Sequence, residues 1–146
     1  MFKRVLLLGG TGLLGYAWTN SLLARGIQVF SSVHNRCPET EDVFPLNLDF
    51  TNEDNLQSCF RQQQFDLVIN LIAITSVEKC SLFPALAMET NALLVERIAK
   101  VCHALHMKFV HLSTDQVFDG KTPFNKETDS TNPVNEYGIT KALAES

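Results

Sequence analysis

The stretch Val5-Leu-Leu-Leu-Gly-Gly-Thr-Gly-Leu-Leu-Gly15 decides the fold of this 146-residue chain. It joins an unbroken apolar run, residues 5–8, to a turn with glycines at positions 9, 10, 12 and 15. The apolar run predicts a strand buried on both faces, and the helical spacing from Leu13 onward predicts a helix after the turn. A strand, a glycine-rich turn and a helix in this order are typical of a dinucleotide-binding unit.

The glycine turn, residues 9–15, is predicted to hold the pyrophosphate of that dinucleotide. Gly9 permits a tight turn, Gly12 lets the backbone approach the phosphates, and Gly15 allows close packing of the helix. The N–H groups at the helix start and the positive end of its dipole then face the phosphates. The turn does not end in Lys-Ser or Lys-Thr, which disfavours an ATP-binding P-loop. The predicted cofactor contacts of the turn are Gly9, Thr11, Gly12, Leu13, Leu14 and Gly15.

Strands and helices alternate along the rest of the chain. The first helix has Leu14, Trp18 and Leu22 at helical spacing and stops before Gly26. Further strands are predicted at 27–31, 43–48, 66–73 and 109–112. Further helices are predicted at 51–64, with Thr51 or Asn52 as its cap, at 84–106, with Pro84 in its first turn, and from 136 onward. The helix at 84–106 has apolar residues at helical spacing: Leu86, Leu93, Leu94, Ile98 and Val101. Residues 114–135 are predicted to form a surface loop. This alternation predicts an α/β fold, a Rossmann-type doubly wound parallel sheet in a single domain over residues 1–146.

Composition excludes several classes of partner. The net charge of -4, without any block of Lys or Arg, disfavours nucleic acid. No apolar stretch approaches the length of a membrane span, and the N-terminal apolar run is too short for a signal peptide. The cysteines are far apart and form no C-x-x-C pair, which predicts reduced thiols in a cytoplasmic protein: Cys37, Cys59, Cys80 and Cys102. His103 and His106 lack further ligands nearby, so no metal site is predicted.

The end of the second strand bears on the choice between NAD and NADP. Dinucleotide-binding folds usually place an acidic residue there, where it binds the adenosine ribose. Residues 30–36 contain no Asp or Glu. Ser32 and the nearby Arg36 can tolerate or bind a 2′-phosphate, although Arg36 is equally compatible with a solvated loop. The sequence therefore gives NADP or NAD, with a slight preference for NADP.

Two segments near the C-terminus carry acid–base chemistry. Tyr137 and Lys141 are four residues apart in a predicted helix, so both can face one site. A nearby cation lowers the pKa of a tyrosine, and Tyr137 can then act as a general acid towards a carbonyl that is being reduced. Thr114, after the strand at 109–112, can donate a hydrogen bond to the same oxygen.

Taken together, these motifs resemble the extended short-chain dehydrogenase/reductase superfamily, and within it the dTDP-4-dehydrorhamnose reductase branch. The matching segments are 9–15, 49–51, 68–73, 113–120 and 135–141, in the family's order and spacing. The segment Ser113-Thr-Asp-Gln-Val-Phe-Asp-Gly120 is particularly characteristic of this branch. Ser32 departs from the acidic residue often found at its position.

The resemblance implies a role for individual residues. Thr114, Tyr137 and Lys141 would form the catalytic group, and Thr114 and Asp115 would contact a sugar substrate. Lys141 would also hold the nicotinamide ribose. The remaining cofactor contacts would be Gly12, Leu13 and Leu14 at the pyrophosphate, Asp49 and Phe50 at the adenine, and Leu71, Ala73 and Thr75 towards the ribose and nicotinamide.

The resemblance further implies an activity, namely the NAD(P)-dependent reduction of a 4-keto nucleotide sugar. Two alternatives remain: a non-catalytic binding protein similar to the regulatory subunit of methionine adenosyltransferase, or an epimerase or dehydratase of the same superfamily. Members of the family run to roughly twice this length, so we expect an N-terminal piece that lacks the substrate-binding C-terminal part. Residues 1–146 alone are then expected to bind cofactor weakly, to be inactive and to self-associate through uncovered apolar surface.

Overall fold

A parallel five-stranded sheet organises the chain. The computed structural model describes residues 2–34, 38 and 40–146. The strands are β1 (Arg4–Leu8), β2 (Gln28–Val33), β3 (Val43–Asn47), β4 (Leu67–Asn70) and β5 (Lys108–His111). Their order across the sheet is β3-β2-β1-β4-β5, and each neighbouring pair is parallel. This order is that of the first five strands of a dinucleotide-binding Rossmann sheet, in which ligands bind where the direction of strand addition reverses, here between β1 and β4.

Helices connect these strands. They are α1 (Leu13–Leu23), α2 (Glu53–Gln63), α3 (Val77–Leu82), α4 (Pro84–Met88), a π-helical turn (Glu89–Leu93), α5 (Leu94–Ala104), a 3₁₀ turn (Asp115–Val117) and α6 (Glu136–Glu145). The predicted caps are confirmed at three places. Asn52 accepts a hydrogen bond from the Asn55 N–H at the start of α2, Pro84 begins α4, and Gly26 has φ +69° after α1.

The chain divides into two compact units. The sheet unit comprises Met1–Ile72 and Arg97–His111, and the helical unit comprises Ala73–Glu96 and Leu112–Ser146. In the sheet unit the strands β1 and β4 are almost entirely buried, and the rings of Phe30 and Phe60 both contact the edge or face of Phe65. In the helical unit the ring of Tyr137 packs with Cys80 and Ala87.

The apolar faces of two helices differ from the prediction. In α1 the buried residues are Gly15, Thr19 and Leu22, whereas Leu14 and Trp18 are exposed. A Cβ at Gly15 would overlap the backbone of Gly10, so the first turn of α1 lies against the glycine turn at Gly15 and not at Leu14. The second difference is in the predicted helix at 84–106, where Leu86 in α4 and Leu93 in the π-helical turn are exposed while Ile98 in α5 is buried. The π-helical turn accommodates an extra residue and rotates the helical register between them.

The predicted strand at 66–73 is shorter in the structure. β4 ends at Asn70, whose side-chain oxygen accepts a hydrogen bond from the Ile72 N–H at 3.1 Å. That contact bends the chain away from the sheet after Leu71, whose N–H still bonds the Leu8 carbonyl. α3 was not predicted, although Ser76 caps it by accepting from the Lys79 N–H. Within the described residues, no helix is long and apolar enough to cross a bilayer.

The described cysteines, Cys59, Cys80 and Cys102, are free thiols, as predicted, and Cys37 lies outside the described residues. Cys80 and Cys102 are buried, and burial raises the pKa of the Cys102 thiol to about 12.

Candidate functional site

The glycine turn has the backbone conformation that its sequence predicts. Gly9 has φ +83°, a conformation that favours glycine, and the Gly12 N–H closes the turn on the Gly9 carbonyl at 3.1 Å. A Cβ added to Gly9 would lie 3.3 Å from Ile72, just after β4. The turn and the segment after β4 therefore meet at the carboxyl ends of β1 and β4, which is the switch point of the sheet.

Gly10 and Gly15 are required for packing. A Cβ on Gly10 would overlap the Ser31 hydroxyl and lie 3.0 Å from the Ser31 Cβ. A Cβ on Gly15 would overlap the backbone of Gly10. The turn is therefore pressed against β2 on one side and against the first turn of α1 on the other. The close packing predicted for Gly15 is found, but its partner is the turn itself.

The start of α1 is suited to a phosphate. Gly12 is the N-cap and supplies no side-chain hydrogen bond to the helix. The first intrahelical bond runs from the Tyr16 N–H to the Gly12 carbonyl, so the amides at positions 13–15 precede the helical ladder. Leu13 is 90% exposed and Leu14 is 52% exposed, which leaves the helix end accessible. An uncapped, accessible helix N-terminus fits an anionic pyrophosphate.

Ser32 lies beneath the glycine turn. Its hydroxyl accepts a hydrogen bond from the Gly9 N–H at 3.1 Å, and its side chain is buried. Ser32 is one of the two residues predicted to meet the 2′-phosphate of NADP, and its side chain is neutral. Arg36, the other residue predicted to meet that phosphate, lies outside the described residues.

Asp49 and Phe50 follow β3 in the sheet unit. The Asp49 carboxylate accepts from the Thr51 hydroxyl at 2.6 Å and from the Thr51 N–H at 2.9 Å. These two hydrogen bonds hold the pKa of Asp49 below its ordinary value. The Phe50 carbonyl accepts from the Arg97 Nε at 3.0 Å, which ties this loop to α5. Both predicted adenine contacts therefore stand on a loop that is fixed at two points.

Ala73 and Thr75 belong to the helical unit and flank Ile74. Ala73 is half-buried and Thr75 is exposed. Ile74 is held by Asn91, a fully buried residue of the π-helical turn. The Asn91 amide also donates to the hydroxyl of Thr140 in α6 at 3.2 Å. One amide therefore links the segment with the predicted cofactor contacts to the helix with the predicted catalytic pair.

Thr114 caps the 3₁₀ turn. Its hydroxyl accepts from the Gln116 N–H at 3.3 Å and donates to the carboxylate of Asp115 at 3.2 Å. Thr114 is half-buried and Asp115 is exposed. A hydroxyl whose present acceptor is an exposed carboxylate can exchange that acceptor for a substrate oxygen.

Tyr137 and Lys141 are both buried in α6, 8% and 2% exposed respectively. The Lys141 ammonium donates a hydrogen bond to the Leu112 carbonyl. Burial lowers the pKa of Lys141 to about 8, against the opposing effect of the Glu145 carboxylate. Lysine is rarely this buried unless its charge is paired or hydrogen-bonded, and Lys141 lies one helical turn after Tyr137.

Three residues that organise this site are absent from the sequence-based predictions. Asn91 is polar and directly precedes the apolar run 92–95 of the predicted helix, which is the signal that could have identified it. Asn135 caps α6 by accepting from the Gly138 N–H at 2.8 Å, and its position before the helix predicts a cap. Gln116 accepts from the Asn135 side chain at 3.0 Å, a contact between distant residues that no local pattern predicts.

Comparison with known proteins identifies a family. The family model described as the RmlD substrate binding domain matches residues 3–146. The chain is similar to the dTDP-4-dehydrorhamnose reductase of Salmonella typhimurium, with 35% identity over 97% of this chain and 45% of that protein. It is also similar to the Mycolicibacterium smegmatis protein of the same name, with 32% identity over 99% of this chain and 41% of that protein. The chain thus spans less than half the length of these relatives.

Solved structures agree in fold. A hypothetical dTDP-4-dehydrorhamnose reductase from Sulfolobus tokodaii superposes with a TM-score of 0.84 at 34% identity, over 97% of this chain and 50% of that one. The Bacillus anthracis dTDP-4-dehydrorhamnose reductase in complex with NADP superposes with a TM-score of 0.80 at 27% identity, over 99% of this chain and 48% of that one. The Thermus thermophilus UDP-glucose 4-epimerase complex with NAD superposes with a TM-score of 0.84 at 27% identity, over 97% of this chain and 48% of that one. The predicted Rossmann-type α/β fold is confirmed, as part of a longer fold in these proteins.

Proposed function

The chain belongs to the RmlD substrate binding domain family, and from that premise we propose that it forms part of an NAD(P)-dependent reductase of a 4-keto nucleotide sugar. The relatives named dTDP-4-dehydrorhamnose reductase support this substrate class. The NADP and NAD complexes of similar structures support a nicotinamide dinucleotide. Since the chain spans under half of its relatives, the activity is assigned to the full-length protein.

The residues of the sheet unit fit such a cofactor. The amides at the start of α1 would bind the pyrophosphate, and the loop with Asp49 and Phe50 would contact the adenine. We assign a preference for NADP because Ser32 is neutral and because Arg36 follows it in the sequence. When bound, the cofactor supplies a hydride to the keto carbon of the substrate.

The residues of the helical unit would transfer a proton to the substrate oxygen. Tyr137 donates its phenolic proton to the substrate oxygen, so that the ketone becomes a secondary alcohol and the tyrosine becomes a phenolate. The Lys141 ammonium stabilises that phenolate, which regains a proton from solvent. Thr114 donates a hydrogen bond to the same substrate oxygen and stabilises the charge that develops on it.

The observation that carries this proposal is the burial of Lys141. Keeping an ammonium at 2% exposure lowers its pKa to about 8, and a fold tolerates such a cost where the charge is used. Tyr137, one helical turn earlier, is also buried. The burial of both side chains supports an acid–base pair and disfavours an exposed surface pair.

The test is Tyr137→Phe in the full-length protein, with Tyr16→Phe as the matched control because Tyr16 is 60% exposed. We expect turnover of a dTDP-4-keto-6-deoxy sugar with NADPH to fall at least about 100-fold in Tyr137→Phe and to stay unchanged in the control. Unchanged turnover in Tyr137→Phe would refute the general acid. Cofactor binding without turnover by the unmodified protein would favour the regulatory alternative, and sugar epimerisation without net NADPH consumption would favour the epimerase alternative.

A further inference from the structure

The 3₁₀ turn Asp115–Val117 is fastened to the start of α6 within the helical unit. The side-chain oxygen of Gln116 accepts a hydrogen bond from the Asn135 amide at 3.0 Å. The Val117 carbonyl accepts from the Asn132 N–H at 2.9 Å. The turn that Thr114 caps is therefore bonded to the residues that lead into the helix carrying Tyr137.

Gly138 makes this contact close. A Cβ on Gly138 would overlap the Gln116 carbonyl and lie 2.9 Å from the Pro133 side chain. The backbone of α6 thus lies directly against the backbone of the 3₁₀ turn. Gly138 is the neighbour of Tyr137, and Gln116 is two residues from Thr114, so the contact joins the surroundings of two predicted catalytic side chains.

Asn135 is hydrogen-bonded to both α6 and the 3₁₀ turn, through different side-chain atoms. Its side-chain oxygen accepts from the Gly138 N–H and caps α6, while its side-chain nitrogen donates to Gln116. A cap alone needs only the oxygen, which Ser or Asp would also supply. The donor half of the amide therefore adds a side-chain hydrogen bond to the backbone contacts that join the helix start to the 3₁₀ turn.

We propose that Gln116 and Asn135 are positioning residues, whose hydrogen bond sets the Thr114 hydroxyl relative to the Tyr137 hydroxyl. The inference rests on the proposed function, in which both hydroxyls act on one substrate oxygen. The segment between the two contacts, residues 118–131, is mostly exposed, so its own packing does not fix this distance. Small displacements of groups that act on one atom lower turnover more than they lower binding.

The test compares Gln116→Met with Gln116→Glu in the full-length protein. Methionine has a similar length but no oxygen, whereas glutamate keeps an acceptor for the Asn135 amide. We expect kcat to fall at least about 10-fold in Gln116→Met with KM for NADPH unchanged, and to stay within about threefold in Gln116→Glu. Asn135→Ser, which keeps the helix cap and loses the donor, should reproduce the loss in kcat.

A second readout does not depend on activity. In the protein without cofactor, amide hydrogen exchange at Asn132 should accelerate in Gln116→Met, because the 3₁₀ turn loosens. Exchange at Gly138 should stay slow, because the Asn135 cap remains. Gln116→Glu should leave both amides unchanged.

The outcomes separate this inference from the proposed function. Full activity of Tyr137→Phe would overturn the proposed function. An inactive Tyr137→Phe together with an unchanged kcat in Gln116→Met and Asn135→Ser would overturn the positioning role alone. Equal losses in Gln116→Met and Gln116→Glu would also overturn it, because the acceptor oxygen would then make no difference.

Discussion

The side-chain amide of Asn91 pairs with both backbone polar groups of Ile74. Its oxygen accepts from the Ile74 N–H at 2.8 Å, and its nitrogen donates to the Ile74 carbonyl at 3.0 Å. Asn91 is fully buried and its two hydrogen bonds with Ile74 are partly buried, which limits the access of water to them. The Asn91 side chain thus makes with Ile74, after β4, the two hydrogen bonds that the backbone of a neighbouring strand would otherwise make.

Asn91→Leu should therefore destabilise the full-length protein by about 3 kcal/mol, because the Ile74 N–H loses its acceptor and the Ile74 carbonyl keeps the Cys80 thiol, a weak donor. Urea denaturation measures the change. Asn20→Leu is the control, since Asn20 is exposed in α1 and its loss should change stability by less than about 0.5 kcal/mol. A cost below about 1 kcal/mol for Asn91→Leu would mean that other groups or water replace the amide.

Lys141→Met should raise the stability of the protein and lower its activity. Because burial lowers the pKa of Lys141 to about 8, below this pH the folded protein holds a charged, buried ammonium at a cost of about 3 kcal/mol. The variant removes that cost and loses the hydrogen bond to Leu112. We expect a gain of about 1–2 kcal/mol in the free energy of unfolding at pH 7 and a loss of turnover.

The same variant has a pH signature. Between pH 8 and about pH 10.4 the unfolded wild-type chain binds a proton at Lys141 that the folded chain does not, so wild-type stability rises with pH in this window. The advantage of Lys141→Met should shrink accordingly. Lys108→Met, at an exposed position in β5, should show no such trend. An advantage that stays constant from pH 7 to pH 10 would contradict the lowered pKa.

Gly10→Ala should weaken cofactor binding through β2. The added methyl group overlaps the Ser31 hydroxyl, so the glycine turn must move, at a cost of about 1–3 kcal/mol. We expect the Kd for NADPH to rise at least tenfold by calorimetry, which corresponds to about 1.4 kcal/mol. Adding Ser31→Gly removes both atoms that the methyl group meets and should restore most of the affinity. Failure of this second change to restore binding would show that the overlap is not the cause.

The sequence predicted the parts of the fold that depend on local pattern. The apolar runs located the strands, Gly9 has the predicted positive φ, and Asn52 and Pro84 begin their helices as expected. Features that depend on distant contacts were missed or wrong. Leu86 and Leu93 looked like one buried face because the periodicity does not reveal an intervening π-helical turn.

The candidate site shows the same division. Thr114, Tyr137 and Lys141 lie on motifs short enough to recognise, and their roles remain predictions. The residues that connect these motifs are Gln116 and Asn91. Gln116 is hydrogen-bonded to Asn135, 19 positions away in the sequence, and Asn91 is hydrogen-bonded to Thr140, 49 positions away. A single sequence does not show which residue each of them contacts, because the two partners of each pair are far apart in the chain.

Ser32→Asp should shift the cofactor preference towards NAD. The Ser32 hydroxyl accepts from the Gly9 N–H, and a carboxylate oxygen can accept from the same group, so the glycine turn should keep its shape. The added negative charge would repel the 2′-phosphate of NADPH, and it would accept hydrogen bonds from the free ribose hydroxyls of NADH. We expect the ratio of kcat/KM with NADPH to kcat/KM with NADH to fall at least about tenfold, measured at low ionic strength because salt screens the effect. Ser31→Ala, at the preceding buried position, is the control and should leave the ratio unchanged. An unchanged ratio in Ser32→Asp would show that the end of β2 does not face the 2′ position of the cofactor.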